Sequence, residues 1–369
     1  MSRIWDTFST LISIDSPSFG ERSFCDVLNE RLVALGVETY EDNAGDQIGG
    51  NSGNLYGFLK GSVLLPPLLL SAHMDTVMPG WSKQAILNES GVITSAGNTV
   101  LGGDDVAGIT VILEALTRLK ESRQPYRPIE LLFTVAEESY GLGSDKIDYS
   151  RIKAKESYTL DLSGMIGEAA NAAPTILSFE ITVAGKAAHA GFAPKDGIHA
   201  IAAAARAIAR VPVGVPKPGV TVNIGKIEGG EANNIVPALC KVTGEIRSLS
   251  HDEVLAYWEK VKNIFDEEAK AVGGTATAKH RCEIIAYKTP LDSHVVRQFE
   301  QACRKINVPV SIHSTLGGSD QNNFARHGIQ GLVIACSMHN VHSTREFCRL
   351  DELEQCVELV SVLMTEDLL

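Results

Sequence analysis

No apolar run in this chain approaches the roughly 20 consecutive residues that a bilayer-spanning helix needs. Positive charge is in deficit as well, since 33 Lys and Arg face 45 Asp and Glu, a net charge of −12. That balance argues against nucleic acid or an anionic membrane as a partner. It leaves metal open, because carboxylates bind cations. Cys-x-x-Cys is missing too. The seven cysteines (Cys25, Cys240, Cys282, Cys303, Cys336, Cys348 and Cys356) are scattered, an odd set that reads as reduced thiols filling a core. The N-terminal Met-Ser-Arg-Ile-Trp-Asp lacks a basic stretch followed by an apolar one, so a cytoplasmic location is expected. There is no internal repeat and no low-complexity segment. What remains is 369 residues with 44% hydrophobic content, enough for two domains with real cores.

The chain carries its acids in an unusual place. Leu68-Leu69-Leu70 follows Pro66-Pro67 as a short buried-strand pattern, and His73 and Asp75 come directly after it. Two residues apart on extended chain, they point the same way. The pair is either a hydrogen-bonded strand end or part of a metal site. Next, Gly102-Gly103-Asp104-Asp105 opens a helix reaching about Lys120, where a single aspartate would suffice as a cap. Strand 129–135 ends at Glu137-Glu138, and strand 157–160 delivers Asp161. Strand 331–336 runs into His339 and His342, either of which is a candidate ligand. Ligand sites of open α/β sheets gather at the carboxyl ends of strands. So many carboxylates cannot lie together unless cations neutralise them.

Between about Ile176 and Ala286 the rhythm changes. Strand 177–184, helix 197–211, strands 220–227 and 239–247, helix 252–271 and strand 275–285 spell βαββαβ, the ferredoxin-like plait. The expected fold class is therefore α/β in two domains. Residues 1–175 and 287–369 form an α/β/α catalytic domain, and residues 176–286 form an inserted ferredoxin-like domain. After the insertion come helix 292–305, strand 308–313, the turn Leu316-Gly317-Gly318-Ser319-Asp320 and a closing helix, 351–364.

In order and spacing, His73-Met-Asp75, Gly-Gly-Asp104-Asp105-Val-Ala-Gly, Glu137-Glu138, Asp161 and His342-Ser-Thr-Arg-Glu346 resemble the M20 family of co-catalytic zinc peptidases. The similarity is greatest to its tripeptidase-T-like branch and covers nearly the whole chain. It implies two Zn²⁺ per chain, with Co²⁺ or Mn²⁺ as substitutes. Asp104 would bridge the ions, His73 and Asp161 completing one site, Glu138 and His342 the other. Asp75 would orient His73, and Glu137 would be the general base acting on a bridging water. Asp105 would cap the helix, with a cis peptide often found between the two aspartates. Lys186-Ala-Ala-His189-Ala-Gly is similar to the family's lid motif, which makes His189 a catalytic residue of a lid and dimerisation domain. Asn234, in Gly229-Gly230-Glu-Ala-Asn-Asn234, and Arg247 match substrate-binding positions, to which Gly318 and Ser319 are added. Arg247 is expected to take a substrate carboxylate, a surface salt bridge being the alternative. One departure is Val106, where many relatives carry lysine.

The implied substrate is a short peptide, most simply a tripeptide losing its N-terminal residue, and a homodimer through the lid is implied as well. A carboxypeptidase or an N-acyl amino-acid deacylase of the same family is the alternative. A non-haem iron oxygenase would use His73, Asp75 and His342 but leave Asp104, Glu137 and Glu138 idle. A catalytically silent binding protein would need a missing ligand or base, and none is missing.

Overall fold

Strand Leu68–His73 is buried along its whole length. Its alternate residues serve two cores: Leu68, Leu70 and Ala72 join one, and Leu69 joins the other. This is the period-2 consequence of a strand covered on both faces. It lies parallel to Ile129–Thr134 on one side and to Glu156–Ser163 on the other. The computed structural model describes residues 2–365. It places these three strands in one mixed sheet ordered Glu38–Glu41, Leu55–Leu59, Ile129–Thr134, Leu68–His73, Glu156–Ser163, Gln330–Met338 and Glu168–Ala173. Ser311–Ser314 pairs in parallel with the last of these.

Helices cover both faces of this sheet. The Gly103–Ser122 helix packs on strands Leu68–His73, Glu156–Ser163 and Gln330–Met338, and is itself covered by helices Arg3–Ile12 and Leu350–Thr365. On the opposite side Phe324 of the Asp320–Arg326 helix joins Leu69, Leu132, Ile147 and Ile329. The result is the α/β/α layering expected. No helix among the described residues is long and apolar enough to cross a membrane.

The chain separates into two compact units, with crossings at Ala172/Ala173 and Tyr287/Lys288, and the Leu316–Gly318 turn counts with the second. In that second unit an antiparallel sheet runs Gly214–Lys217, Val220–Gly229, Leu239–Ser248, Thr175–Ala184, Thr275–Ile284. Helices Ala200–Arg210 and His251–Ala271 pack together over it, closing a core of Leu177, Phe179 and Ile181 against Ala203, Trp258 and Phe265. Four of these strands and two helices make the plait, and the short Gly214–Lys217 strand is an addition that Pro216 and two glycines hid from the sequence pattern.

Three details differ from the sequence reading. Asp161 lies inside strand Glu156–Ser163 rather than after its end. Strand Glu168–Ala173 escaped notice because Glu-Ala-Ala-Asn-Ala-Ala has no β-branched or aromatic residue, although it is buried beside Gln330–Met338. The strand expected from Val308 starts at Ser311, since Pro309 cannot donate to a ladder.

Candidate metal centre

His73 ends its strand with both ring nitrogens engaged. Nδ1 donates to the backbone carbonyl of Asp75 at 2.9 Å, and the Asp75 carboxylate lies 3.4 Å away. Nε2 is 2.9 Å from Asp104 Oδ1 and 3.8 Å from Asp161 Oδ1. Orientation of His73 thus comes first from the main chain of Asp75. The Asp75 carboxylate is mostly spent elsewhere. It accepts the Glu137 amide at 2.9 Å, the Glu138 amide at 3.2 Å and the Ser18 hydroxyl at 2.6 Å.

Asp104 stands at the opening of a helix, where its own dihedrals and those of Asp105 are non-helical and the peptide between them is cis. Two glycines permit this. Gly102 has φ +79°, and a Cβ there would meet Lys83 Cε at 2.8 Å. A Cβ on Gly108 would sit 2.5 Å from Asp105 Oδ1 and 2.6 Å from the Leu160 carbonyl. Asp105 itself points inward, accepting the His73 amide and the Gly108 amide at 3.1 Å each. It is a cap and a spacer between strand and helix. Val106 is buried in the main core.

The Asp104 carboxylate spans two imidazoles. Oδ1 faces His73, and Oδ2 lies 3.2 Å from His342 Nε2, which also sits 3.0 Å from Glu138 Oε1. Two sets of donor atoms lie within 4.8 Å of one another: His73, Asp104 and Glu138, and His73, Glu137 and Asp161. The donors are nitrogen and carboxylate oxygen with no thiolate, a set that suits a borderline divalent cation. The grouping differs in detail from the pairing drawn from the resemblance, because Glu137 lies close enough to count beside Asp161.

Electrostatics point the same way. Burial, then the charge of Asp104, pushes the Asp161 carboxyl well above the usual carboxylate range. Burial, then the charge of Asp161, does the same to Glu137. Asp104 is held low against its burial by hydrogen bonds from His342 and His73. Burial opposes a charge on His73, but bonds to Asp104 and Asp75 raise it well above the ordinary histidine value. Bonds to Asp104 and Glu138 push His342 up to about 11. Crowded acids therefore draw positive charge onto His73 and His342, a role divalent cations fill more fully.

His339 does not join this group. It bonds Glu352 at 2.6 Å and stacks on Phe347. In the second unit His189 is exposed, and its Nδ1 accepts the Gly191 and Phe192 amides at 3.1 Å, which in the neutral ring leaves the N–H on Nε2. Asn234 is also exposed, its carbonyl accepting the Ala190 amide at 2.9 Å. Arg247 grips Glu245 with two bonds, at 2.9 and 3.1 Å, and donates to the Leu316 carbonyl at 3.0 Å. Gly318 belongs to the second unit and the buried Ser319 to the first. Ser319 starts the Asp320–Arg326 helix, its amide held by the Asn322 side chain at 3.1 Å.

Two residues that sequence reasoning assigned no role shape the site. Glu346 accepts the Gly102 amide at 2.8 Å and the Asp104 amide at 3.0 Å. Asp320, buried, takes the Thr134 hydroxyl and adds its charge to the field on Glu137. Position in the His342-Ser-Thr-Arg-Glu346 motif was the one available signal for the former.

Comparison with known proteins finds similarity to peptidases. Residues 171–273 match the peptidase dimerisation domain of the M20 type, residues 54–193 match peptidase family M28, and residues 264–359 match the M42 glutamyl aminopeptidases. The crystal structure of the aminopeptidase PepT from Bacillus cereus ATCC 10987 is similar at a TM-score of 0.93 and 37% identity, covering 99% of this chain and 98% of that one. A tripeptidase from Staphylococcus aureus superposes at 0.96 with 30% identity, covering 98% and 97%. The uncharacterized protein YqjE of Bacillus subtilis (strain 168) is 35% identical over 364 residues, 99% of this chain and 98% of its own length.

Proposed function

Because this chain belongs to the M20 metallopeptidases, in their tripeptidase-like branch, we propose that it hydrolyses the first peptide bond of tripeptides, releasing the N-terminal residue. The observation that carries this reading is the Asp104 carboxylate with one oxygen toward His73 and the other toward His342. A carboxylate so placed suits two cations that share it. His73 and Asp161 would complete one site, and Glu138 and His342 the other, with Zn²⁺ the best fit to the donors and Co²⁺ or Mn²⁺ as substitutes. Bound there, the cations supply Lewis acidity and a water nucleophile at neutral pH.

The chain's own residues do the rest. Glu137 takes the proton of the attacking water and returns it to the departing amine, general base and then general acid. Its burial among acids raises its proton affinity, which suits it to hold that proton between the two steps. Asp75 holds the Glu137 and Glu138 amides and so fixes both side chains from the main chain. His189, with Nδ1 committed to two amides, offers Nε2–H as the donor to the oxyanion. Asn234 and Arg247 bind the substrate beyond the scissile bond, Arg247 by donating to a C-terminal carboxylate in place of Glu245. Gly318 and Ser319 are further candidate substrate contacts. The second unit serves as lid and dimerisation domain, so the working form is a homodimer. Seven free cysteines, six of them buried, fit a reducing compartment such as the cytoplasm.

Zinc-reconstituted protein tested on Ala-Ala-Ala, N-acetyl-Ala-Ala-Ala and Ala-Ala-Ala-amide decides the reading. Cleavage of the free tripeptide after its first residue is expected, with acetylation blocking it and amidation raising KM. Efficient release of the last residue from the acetylated peptide would instead make the protein a carboxypeptidase or deacylase.

A further inference from the structure

Three consecutive amides in the turn that carries the general base end on two buried carboxylates. Glu137 and Glu138 donate to Asp75, and Ala136 donates to Glu21 Oε1 at 3.0 Å. Glu21 is fully buried, its Oε1 also accepts the Phe19 amide at 2.9 Å, and its Oε2 has no hydrogen-bond partner among the described residues. The two residues whose amides converge on that oxygen share a backbone oddity. Phe19 has φ +70° and Ala136 has φ +49°, left-handed values uncommon outside glycine. Such conformations persist only where surrounding contacts impose them.

Helix capping does not account for Glu21. It stands at the start of helix Arg22–Ala34, yet its side chain bonds none of that helix's amides. A buried carboxylate that leaves one oxygen unpaired is costly, and a hydrocarbon side chain would fill the space without that cost. The bond that distinguishes it is the one to Ala136, 115 positions away and next to Glu137.

We propose that Glu21 is a positioning residue for Glu137: its buried carboxylate pins the Ala136 amide and so sets the left-handed turn from which the Glu137 side chain departs. The Asp75 carboxylate pins the same turn but also holds the amide of the candidate ligand Glu138 and lies 3.4 Å from His73, so its loss disturbs ligands and base together. Glu21 bonds no candidate ligand side chain. Its removal acts on the base before the ligands, because Glu137 directly follows Ala136 while Glu138 lies one residue further along, its amide still held by Asp75.

The proposal rests on Glu137 being the proton acceptor, and Glu137→Gln measured in parallel tests that premise separately. Near-normal turnover by Glu137→Gln would refute the reading of the site, whatever Glu21 does. Wild type, Glu21→Gln, Glu21→Asp and Glu21→Ala are compared by tripeptide kinetics, zinc content and amide hydrogen exchange over residues 135–140. Glu21→Gln keeps a carbonyl oxygen for both amides and should retain kcat within about threefold of wild type. In Glu21→Ala the expected fall in kcat is roughly 10- to 100-fold, the scale of a misplaced catalytic group, with KM and zinc content unchanged. Exchange at the Ala136 amide should accelerate about tenfold or more in the same variant, as local protection is lost. Should Glu21→Ala fail to fold, Glu21→Asp, too short to reach both amides, is judged by the same criteria. Unchanged kcat or unchanged exchange overturns the proposal, as does zinc loss in step with activity, or Glu21→Gln falling as far as Glu21→Ala.

Discussion

Glu346 accepts the backbone amide of Asp104 at 3.0 Å across 242 positions of sequence, and its second oxygen takes the Gly102 amide. The carboxylate that bridges His73 and His342 is thus held from behind by an acid just four residues after His342. One short segment supplies both an imidazole to the front of Asp104 and an anchor to its back.

Glu346→Ala should therefore weaken metal binding although Glu346 is no ligand. Two buried amides would lose their acceptor, at a cost of about 2–4 kcal/mol in stability. Glu346→Gln, which keeps one acceptor oxygen, should lose about half of that. Denaturant unfolding of the chelator-treated proteins gives the stability difference, and zinc titration gives the affinity. Equal behaviour of the alanine variant and wild type in both would exclude the anchoring role.

Zinc uptake by chelator-treated protein should expel protons. His73 is driven toward its charged form, and Asp161 and Glu137 toward their neutral forms, while a bound cation requires its ligands deprotonated. Affinity should thus rise with pH across neutrality, about tenfold per pH unit for each proton released. Titration calorimetry in two buffers of different ionisation enthalpy counts those protons, and a count of zero would contradict the raised values.

Adjacent glutamates should separate cleanly by function. Glu137→Gln is expected to lose at least 10²- to 10⁴-fold in kcat, roughly the contribution of general acid–base catalysis, with two zinc ions retained. Glu138→Gln should lose zinc affinity first, because its carboxylate contacts His342 beside Asp104. Elemental analysis beside tripeptide kinetics distinguishes them, and identical profiles would remove the assignment.

Arg247 supplies a prediction with two signs. Glu245 shares its guanidinium, so a substrate carboxylate must compete with that partner. Glu245→Gln should lower KM for a free tripeptide, and Arg247→Ala should raise it about 10-fold or more and abolish the difference between free and amidated substrate. Kinetics on Ala-Ala-Ala and its amide read both. A KM unmoved by either change would leave Arg247 a structural ion pair.

A mixed preparation tests the homodimer. Glu137→Gln and His189→Ala proteins, each inactive alone, should recover up to about a quarter of wild-type activity when mixed if the lid histidine serves the partner's site, since only mixed dimers carry a complete site. Recovery of none, with mixed dimers demonstrated by sedimentation, would place His189 in its own chain's site.

Local patterns made much of this protein legible before any coordinates. The α/β layering follows from short apolar strands alternating with amphipathic helices, and the plait follows from its own order of elements. His73, Asp104, Glu137 and Asp161 were readable because each sits at or near the end of a buried strand or the start of a helix, where polar side chains stand out against apolar neighbours. For Arg247 the sequence left a substrate carboxylate or a surface salt bridge open, and the structure pairs it with Glu245, two residues away on the same face of strand Leu239–Ser248. Spacing left His339 and His342 both open, and the motif resemblance named His342. The fold supplies the physical reason by turning His339 onto Glu352 and Phe347, while the left-handed backbone of His342, φ +58°, brings its ring to Asp104. Tertiary structure alone decided the rest. Glu21 and Glu346 act on backbone amides, which every residue except proline carries and which leave no mark in a sequence. Their partners became identifiable only when folding brought positions 115 and 242 residues apart within hydrogen-bond reach.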